Sequence, residues 1–130
     1  MRFLPTTVLM VLGATLVSAD DLVTKTRIKV QLFAGPAFVS EVSVDAYDKL
    51  CLSLDNNLID GRVQSFLIGG HDVATVLQRD DYWNCKFFDN YDCRDDNEVL
   101  TVPDGVNNLA SIGWGTRIHG LRCHNFQNPG

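Results

Sequence analysis

A pattern of aromatic, apolar and arginine positions recurs in this chain at a fixed spacing. Residues 28–68 recur 55 positions further on, so that Phe33 matches Phe88, and no gap is needed at the shared positions. The strongest match pairs Arg62-Val63-Gln64-Ser65-Phe66 with Arg117-Ile118-His119-Gly120-Leu121. Each copy is too short to bury its own apolar face. Two copies of one supersecondary unit therefore predict a single domain in which the units pack together.

The distribution of apolar residues predicts strands in both copies. Ile28, Val30 and Leu32 alternate with polar residues, as in a strand that buries one face. Residues 41–46 repeat this alternation, and turn-forming residues separate such segments along the chain. No window has a sustained 3.6-residue period, so helix content is expected to be low. Short strands between turns are typical of an all-β sandwich or barrel, and residues 73–77, between the copies, are interpreted as compatible with one further strand.

The first 19 residues have the pattern of a secretory signal peptide. Arg2 precedes an apolar run, and Val17-Ser18-Ala19 provides the small residues of a cleavage site before Asp20. The run is shorter than the roughly 20 residues that a membrane span needs. An N-terminal core helix is the alternative, but the acidic pair after the cleavage site disfavours it. We expect a secreted, extracellular protein whose single domain occupies residues 20–130.

The charge of the chain argues against two classes of partner. Without residues 1–19 the protein has 10 basic and 16 acidic residues, which gives a net charge of −6. An acidic surface repels phosphate backbones and anionic lipids, so nucleic acid and membranes are not expected partners. The basic residues after residue 30 are dispersed along the sequence, and no basic patch is expected. No second apolar stretch is long enough to span a membrane.

The cysteines predict disulfides. Cys51, Cys85, Cys93 and Cys123 all follow the predicted cleavage site, and an even number of cysteines in a short secreted chain indicates two bridges. A zinc site would need closer pairs, such as Cys-x-x-Cys, and the nearest two cysteines here are eight positions apart. Thiolate metal ligation is therefore not expected.

The two copies resemble the motifs of β/γ-crystallin domains. The residues that carry the resemblance form an aromatic-containing folded hairpin and an arginine-containing segment in each copy: Phe33-Ala34-Gly35-Pro36-Ala37-Phe38, Phe88-Asp89-Asn90-Tyr91-Asp92-Cys93, Gly61-Arg62-Val63-Gln64-Ser65-Phe66 and Thr116-Arg117-Ile118-His119-Gly120-Leu121. The resemblance covers nearly all of residues 25–124. It implies an all-β fold in which two Greek-key motifs pack as a β/γ-crystallin-like sandwich, with motif one at 25–68, a linker at 69–83 and motif two at 84–124.

The resemblance also implies where calcium would bind, through the pattern Asn/Asp-Asn/Asp-x-x-Ser/Thr-Ser. The copy at Asp60–Ser65 keeps the first and last positions but has Gly61 and Gln64 at the other two. The copy at Gly115–Gly120 keeps none of the four. Calcium requires six to eight oxygen ligands, so both sites are predicted to be lost. No metal and no other cofactor is expected.

The Greek-key order implied by the resemblance places the first and fourth strands of a motif side by side and antiparallel. Cys85 begins the first strand of motif two and Cys123 ends the fourth. The favoured pairing is therefore Cys85–Cys123 with Cys51–Cys93. The alternative is Cys51–Cys123 with Cys85–Cys93 across the hairpin.

No catalytic set is recognisable. The three histidines are dispersed, and His119 matches Gln64 of the other copy, which indicates a structural position. A Gly-x-Ser-x-Gly nucleophile elbow is absent from the sequence, and Ser65 matches Gly120. Asp80-Asp81, before Tyr82-Trp83, is interpreted as part of a linker with an aromatic anchor rather than as a catalytic acid pair. The charged run at 94–98 is interpreted as a solvated hairpin tip rather than as a cation site. The protein is not expected to be an enzyme.

The candidate partner-binding residues are Trp114 with its neighbours Gly113 and Gly115, and Tyr91 in the second hairpin. A tryptophan between glycines is either an exposed anchor of the kind that dominates interfaces or a plug in the core of the sandwich. The binding interpretation is favoured.

The sequence is compatible with three functions. Small, secreted, cysteine-bridged proteins of this type are similar to those of filamentous fungi, including effectors and antimicrobial or killer-toxin-like proteins, although fold does not give function. The leading hypothesis is a secreted, non-enzymatic interaction protein that acts on an extracellular protein or a cell-surface or glycan target of another organism. The alternatives are an inhibitor of a secreted hydrolase, with a wedge loop at 89–96 or 113–116, and a small carbohydrate-binding protein.

Overall fold

The computed structural model describes residues 22–128, in which eight strands and one short helix form. The predicted signal peptide lies outside the described residues. The elements in chain order are β1 (Arg27–Gly35), β2 (Val39–Tyr47), β3 (Cys51–Ser53), β4 (Ser65–Ile68), α1 (Val73–Leu77), β5 (Trp83–Phe88), β6 (Val99–Val102), β7 (Gly105–Val106) and β8 (Gly120–Asn125). A 3-10 turn at Leu109–Ile112 lies between β7 and β8.

The strands form two four-stranded antiparallel sheets that exchange one strand each. The first sheet has the order β2-β1-β4-β7 and the second the order β3-β8-β5-β6. Strands β1 to β4 and β5 to β8 therefore form two Greek keys, and the third strand of each key pairs in the sheet of the other. This architecture confirms the predicted all-β sandwich of two β/γ-crystallin-like motifs.

The 55-residue offset of the sequence is also the offset of the strand register. Val30 lies opposite Ile68 between β1 and β4, and Cys85 lies opposite Cys123 between β5 and β8. The hydrogen bonds that position the last strand of each key follow the same rule: the amides of Gln64 and His119 donate to the carbonyls of Phe33 and Phe88 at 2.8 and 2.9 Å. The repeated residues therefore occupy equivalent places in the two keys.

The main core lies between the two sheets. Phe66 of β4 and Phe87 of β5 are fully buried and stack with ring centroids 4.0 Å apart. Trp83, at the start of β5, is 2% exposed, and its indole N–H donates to the carbonyl of Thr24 at 3.1 Å. Burying each such ring contributes about 1.5–3 kcal/mol, and the stacked pair spans the two motifs. The core therefore joins the repeats into one unit.

Two disulfides are present, Cys85–Cys123 and Cys51–Cys93, which is the pairing favoured from the sequence. The first bridge lies fully buried in the second sheet, at the position that Val30 and Ile68 fill in the first. The second bridge joins β3 to the hairpin after β5 and therefore links the two motifs.

The segment between the motifs contains a helix, so the interpretation of residues 73–77 as a further strand is wrong. Asp72 caps α1, because its carboxylate accepts a hydrogen bond from the Thr75 amide at 2.8 Å. Val76 is 3% exposed and packs with Phe33 and Leu67. Helix α1 therefore covers part of the outer face of the first sheet. Its single turn is too short to show a helical period in the sequence.

An arginine fixes the linker after the helix. The guanidinium of Arg79 donates to both carboxylate oxygens of Asp81, at 2.9 and 2.6 Å, and to the carbonyls of Ile68 and Pro103, at 2.9 and 2.6 Å. These contacts connect the linker to the end of β4 and to the turn before β7. A planar guanidinium can form such a set of bonds because its donors have fixed directions.

Candidate functional site

Trp114 is part of the core, and the expectation of an exposed anchor is wrong. Its side chain is 3% exposed, and the guanidinium carbon of Arg117 lies 4.4 Å from the ring centroid. Its counterpart at the 55-residue offset is Ile59, which is 4% exposed. Trp114 therefore fills the place in motif two that an isoleucine fills in motif one. The repeat itself contained this signal, because the match to Ile59 predicts a buried position.

The glycines beside Trp114 have structural roles. Gly113 ends the 3-10 turn with a φ of +78°, a conformation that glycine adopts at no steric cost. A Cβ atom on Gly115 would lie 3.2 Å from the Cα atom of Ala110 and 3.2 Å from Oε1 of Gln64. Gly113 therefore has a role in the turn, and Gly115 allows close packing.

Tyr91 is the candidate whose side chain the structure leaves accessible. It is 41% exposed, and its hydroxyl donates to Oδ2 of Asp60 at 2.7 Å. The other oxygen of that carboxylate lies 2.6 Å from Nδ1 of His119, and the rings of Tyr91 and His119 are 4.9 Å apart. Tyr91 is therefore held in a three-residue cluster that joins the two motifs.

The hydrogen bonds of this cluster favour the ionised form of Asp60. Burial would raise the pKa of Asp60, but the hydrogen bonds from Tyr91 and His119 outweigh it and lower the pKa below its ordinary value. The hydrogen bond to Asp60 raises the pKa of Tyr91. Asp60 is the first residue of the degenerate calcium pattern, and both of its oxygens are engaged by side chains. Tyr91 donates to the carboxylate rather than to His119, so the cluster does not combine a nucleophile with a base.

A groove with a basic lining lies on the outer face of the second sheet. It has a volume of about 390 Å³ and contains four side chains that carry or can carry positive charge: Lys49, Lys86, Arg122 and His124. Asn84, Thr101 and the ring of Phe126 complete its lining. We call this set of residues the basic groove. The expectation that no basic patch exists is wrong, because the strand register collects cations that are far apart in the sequence.

The two central strands of the second sheet, β5 and β8, supply two of the basic side chains. Lys86 of β5 lies directly opposite Arg122 of β8, and Asn84 lies opposite His124 one pair further along the same ladder face. The guanidinium of Arg122 lies 5.3 Å from the ring of Phe88 and 3.8 Å from a carboxylate oxygen of Asp95. Among the described residues Lys86 has no ion-pair partner. Two basic residues therefore occupy directly opposed positions in the middle of the sheet.

The acidic residue nearest to His124 is already fully engaged. Oδ1 of Asp48 lies 2.8 Å from Nδ1 of His124 and accepts the amide of Asn125 at 2.9 Å, and Oδ2 accepts from Nδ2 of Asn128 at 2.7 Å. Burial would raise the pKa of Asp48, but these hydrogen bonds outweigh it and lower the pKa. His124 also contacts the ring of Phe126 edge to face at 4.3 Å. Both rings are therefore oriented at one end of the basic groove.

The equivalent surface of the first sheet is covered. The counterparts of Lys86 and Arg122 are Gln31, which is fully buried, and Leu67, which is 3% exposed beside Val76 of α1. Lys86 is exposed and Arg122 is half-buried. The repeat therefore places buried residues on the outer face of the first sheet and an open groove on the outer face of the second.

The fold and this surface define a small, disulfide-bridged Greek-key domain with an open groove. No protein-family model and no curated protein matches the sequence. Among solved structures, the chain is similar to one described as "Evolution of the eye lens beta-gamma-crystallin domain fold", with a TM-score of 0.55, 11% identity, and coverage of 75% of this chain and 86% of that one. An identity this low shows the fold alone. No helix within residues 22–128 has the length and hydropathy to cross a membrane.

Proposed function

We propose that this protein is a secreted, non-enzymatic interaction protein that acts outside the cell, as an effector or antimicrobial factor directed at another organism. The observation that carries the proposal is the pair of disulfides in a domain of this size. Disulfides form and persist in oxidising compartments, and small extracellular domains use them because their cores are limited. The signal-peptide pattern at residues 1–19 supports the same compartment.

The non-enzymatic part of the proposal rests on how the polar clusters are used. The carboxylates of Asp48, Asp60 and Asp81 each accept several hydrogen bonds from neighbouring side chains or amides. Their pKa values are lowered, which is the direction of a structural carboxylate and opposite to that of a general acid. The basic groove, in contrast, presents side chains to solvent. Carboxylates that are already hydrogen-bonded, together with exposed side chains in the basic groove, fit a binding function better than catalysis.

Secretion is tested by expressing the full chain in a eukaryotic secretory host, with a chain that lacks residues 1–19 as the control. We expect the full chain in the medium, beginning at Asp20 and without free thiols, and the control inside the cells. Retention of the full chain in the cells with four free thiols would contradict the proposal.

The interaction role is tested with the oxidised protein from the medium. We expect it to inhibit microbial growth or to bind a surface component of another organism, without turning over substrates. Stoichiometric inhibition of a secreted protease or glycosidase would favour the inhibitor hypothesis instead. Catalytic turnover of any substrate by the purified protein would overturn the non-enzymatic assignment.

A further inference from the structure

We propose that the basic groove binds a short anionic saccharide, with the acid group of the sugar between Lys86 and Arg122 and the sugar ring beside Phe126. The first argument is electrostatic. Lys86 and Arg122 are directly opposed across two central strands, where α-carbons are about 5.5 Å apart, and like charges in such pairs destabilise a sheet. Asp95 approaches Arg122 only to 3.8 Å, and Lys86 has no ion-pair partner among the described residues. A bound anion therefore reduces the remaining repulsion, and a guanidinium with an ammonium group suits a carboxylate or a sulfate.

The second argument is the remaining chemistry of the groove. Asn84 and Thr101 supply an amide and a hydroxyl, which can bond to sugar hydroxyls. Phe126 is 61% exposed and is oriented by its contact with His124, so an apolar ring face is available beside the polar groups. The volume of about 390 Å³ lies within the range of small-ligand sites.

The position of the groove disfavours a peptide. The groove crosses the face of the sheet, and its central strands β5 and β8 each pair on both sides. A peptide therefore cannot add to these strands through main-chain hydrogen bonds, as in strand augmentation. Recognition has to come from side chains, and these combine cations, hydrogen-bonding groups and one aromatic ring.

The net charge of the protein limits the size of the anion. The whole chain carries a net charge of −5, so a long polyanion such as a nucleic acid or an anionic membrane is repelled by most of the surface. A ligand with one or a few acid groups engages the groove without approaching the acidic remainder. The acid group can be a uronate carboxylate or a sulfate ester, which share this chemistry.

The decisive variant is Lys86→Glu, because it acts on stability and on binding in opposite directions. A glutamate opposite Arg122 replaces repulsion by attraction, so we expect the melting temperature to stay the same or to rise. We expect the affinity for trigalacturonate, measured by isothermal titration on the secreted protein, to fall by at least about tenfold. The matched control is Arg62→Glu, which makes the same change of charge at an exposed position of motif one and should leave the affinity unchanged.

Further probes separate the possible outcomes. A sulfated trisaccharide distinguishes sulfate from carboxylate, and Phe126→Ala should weaken either saccharide without affecting the binding of inorganic sulfate. Equal binding of a neutral trisaccharide, equal loss in Arg62→Glu, or preference for a poly-aspartate peptide would overturn the proposal. Failure of all anionic probes would also overturn it.

The groove deepens the proposed interaction role, but this titration does not depend on secretion or on growth inhibition, so the two proposals can fail separately.

Discussion

Trp114 is held by neighbours within its own motif. The indole lies beneath the guanidinium of Arg117, and the Trp114 amide donates to the carbonyl of Leu109 at 2.9 Å. Arg117 is fixed in turn by ion pairs with Asp89 and Glu98 at 3.3 and 3.0 Å. The hydrogen bond that Arg117 donates to the carboxylate of Glu98 raises the pKa of Arg117. A buried ring and a paired cation therefore stabilise the turn before β8 together.

Replacing Trp114 should cost stability. We expect Trp114→Ala to lower the free energy of unfolding by about 3–5 kcal/mol, because the change leaves a cavity in the core. Chemical denaturation measures this change. Ile112→Ala is the control, since that side chain is 50% exposed and should cost less than about 1 kcal/mol. Equal and small effects of both changes would show that Trp114 is not a core residue.

The Asp60 cluster predicts a dependence of stability on acid pH. The folded pKa of Asp60 is lowered from its ordinary value of 3.8. Its stabilising contribution is therefore complete well above pH 3.8 and is lost as the pH falls through the folded pKa, below that value. Unfolding free energies of the parent and of Asp60→Asn, measured between about pH 6 and pH 2, should converge at the acidic end. A difference that stays constant over this range would contradict the assignment.

At the scale of elements, the strand register decides which cysteines can bond. The β5–β8 ladder places Cys85 opposite Cys123 with α-carbons 4.0 Å apart. The Cys51–Cys93 bridge, in contrast, depends on the exchange of β3 into the second sheet. One bridge therefore belongs to a single motif, and the other holds the two motifs together.

The first motif suggests a replacement for the buried bridge. The double change Cys85→Val and Cys123→Ile copies Val30 and Ile68 into the second sheet, so the apolar packing is retained and only the cross-link is lost. We expect the free energy of unfolding to fall by about 2–4 kcal/mol, because the unfolded chain gains freedom. Equilibrium denaturation measures it, with the parent as reference. A loss much larger than this would show that the sulfur atoms also contribute packing that the aliphatic pair cannot supply.

At the scale of the whole molecule, the exchange of β3 and β7 makes the two motifs interdependent. Each sheet contains three strands of one motif and one strand of the other. The stacked pair Phe66–Phe87 and the Cys51–Cys93 bridge cross the same boundary. We propose the boundaries 25–68 and 84–124 for the motifs, with 69–83 as the linker, and expect cooperative unfolding of the whole.

Neither motif should fold alone. Chains of residues 22–82 and 83–128, produced separately, are expected to lack the circular dichroism of sheet and a cooperative melting transition, because each lacks a strand and half of the core. Mixing them under oxidising conditions should restore both signals. A single fragment that melts cooperatively would show that the exchanged strands are dispensable.

The sequence by itself determined the architecture of this protein, because the determinants of a strand are local and occur twice. Alternation at Ile28, Val30 and Leu32 defined a buried strand face, and the constant offset of 55 residues defined two equivalent units. The cysteine pairing followed from the Greek-key order, since that order already specifies which strands are neighbours. Burial of Trp114 was also implicit in its match to Ile59.

Only the tertiary structure decided which surface is open. Helix α1 is a single turn, so its formation depends on the Asp72 cap and on contacts of Val76 rather than on a periodic pattern. The basic groove depends on the lateral register of β5 and β8, which brings Lys86 and Arg122 together although they are far apart in the chain. Side chains on one face of a sheet become neighbours through strand pairing, and pairing is a long-range property that no local window of sequence contains.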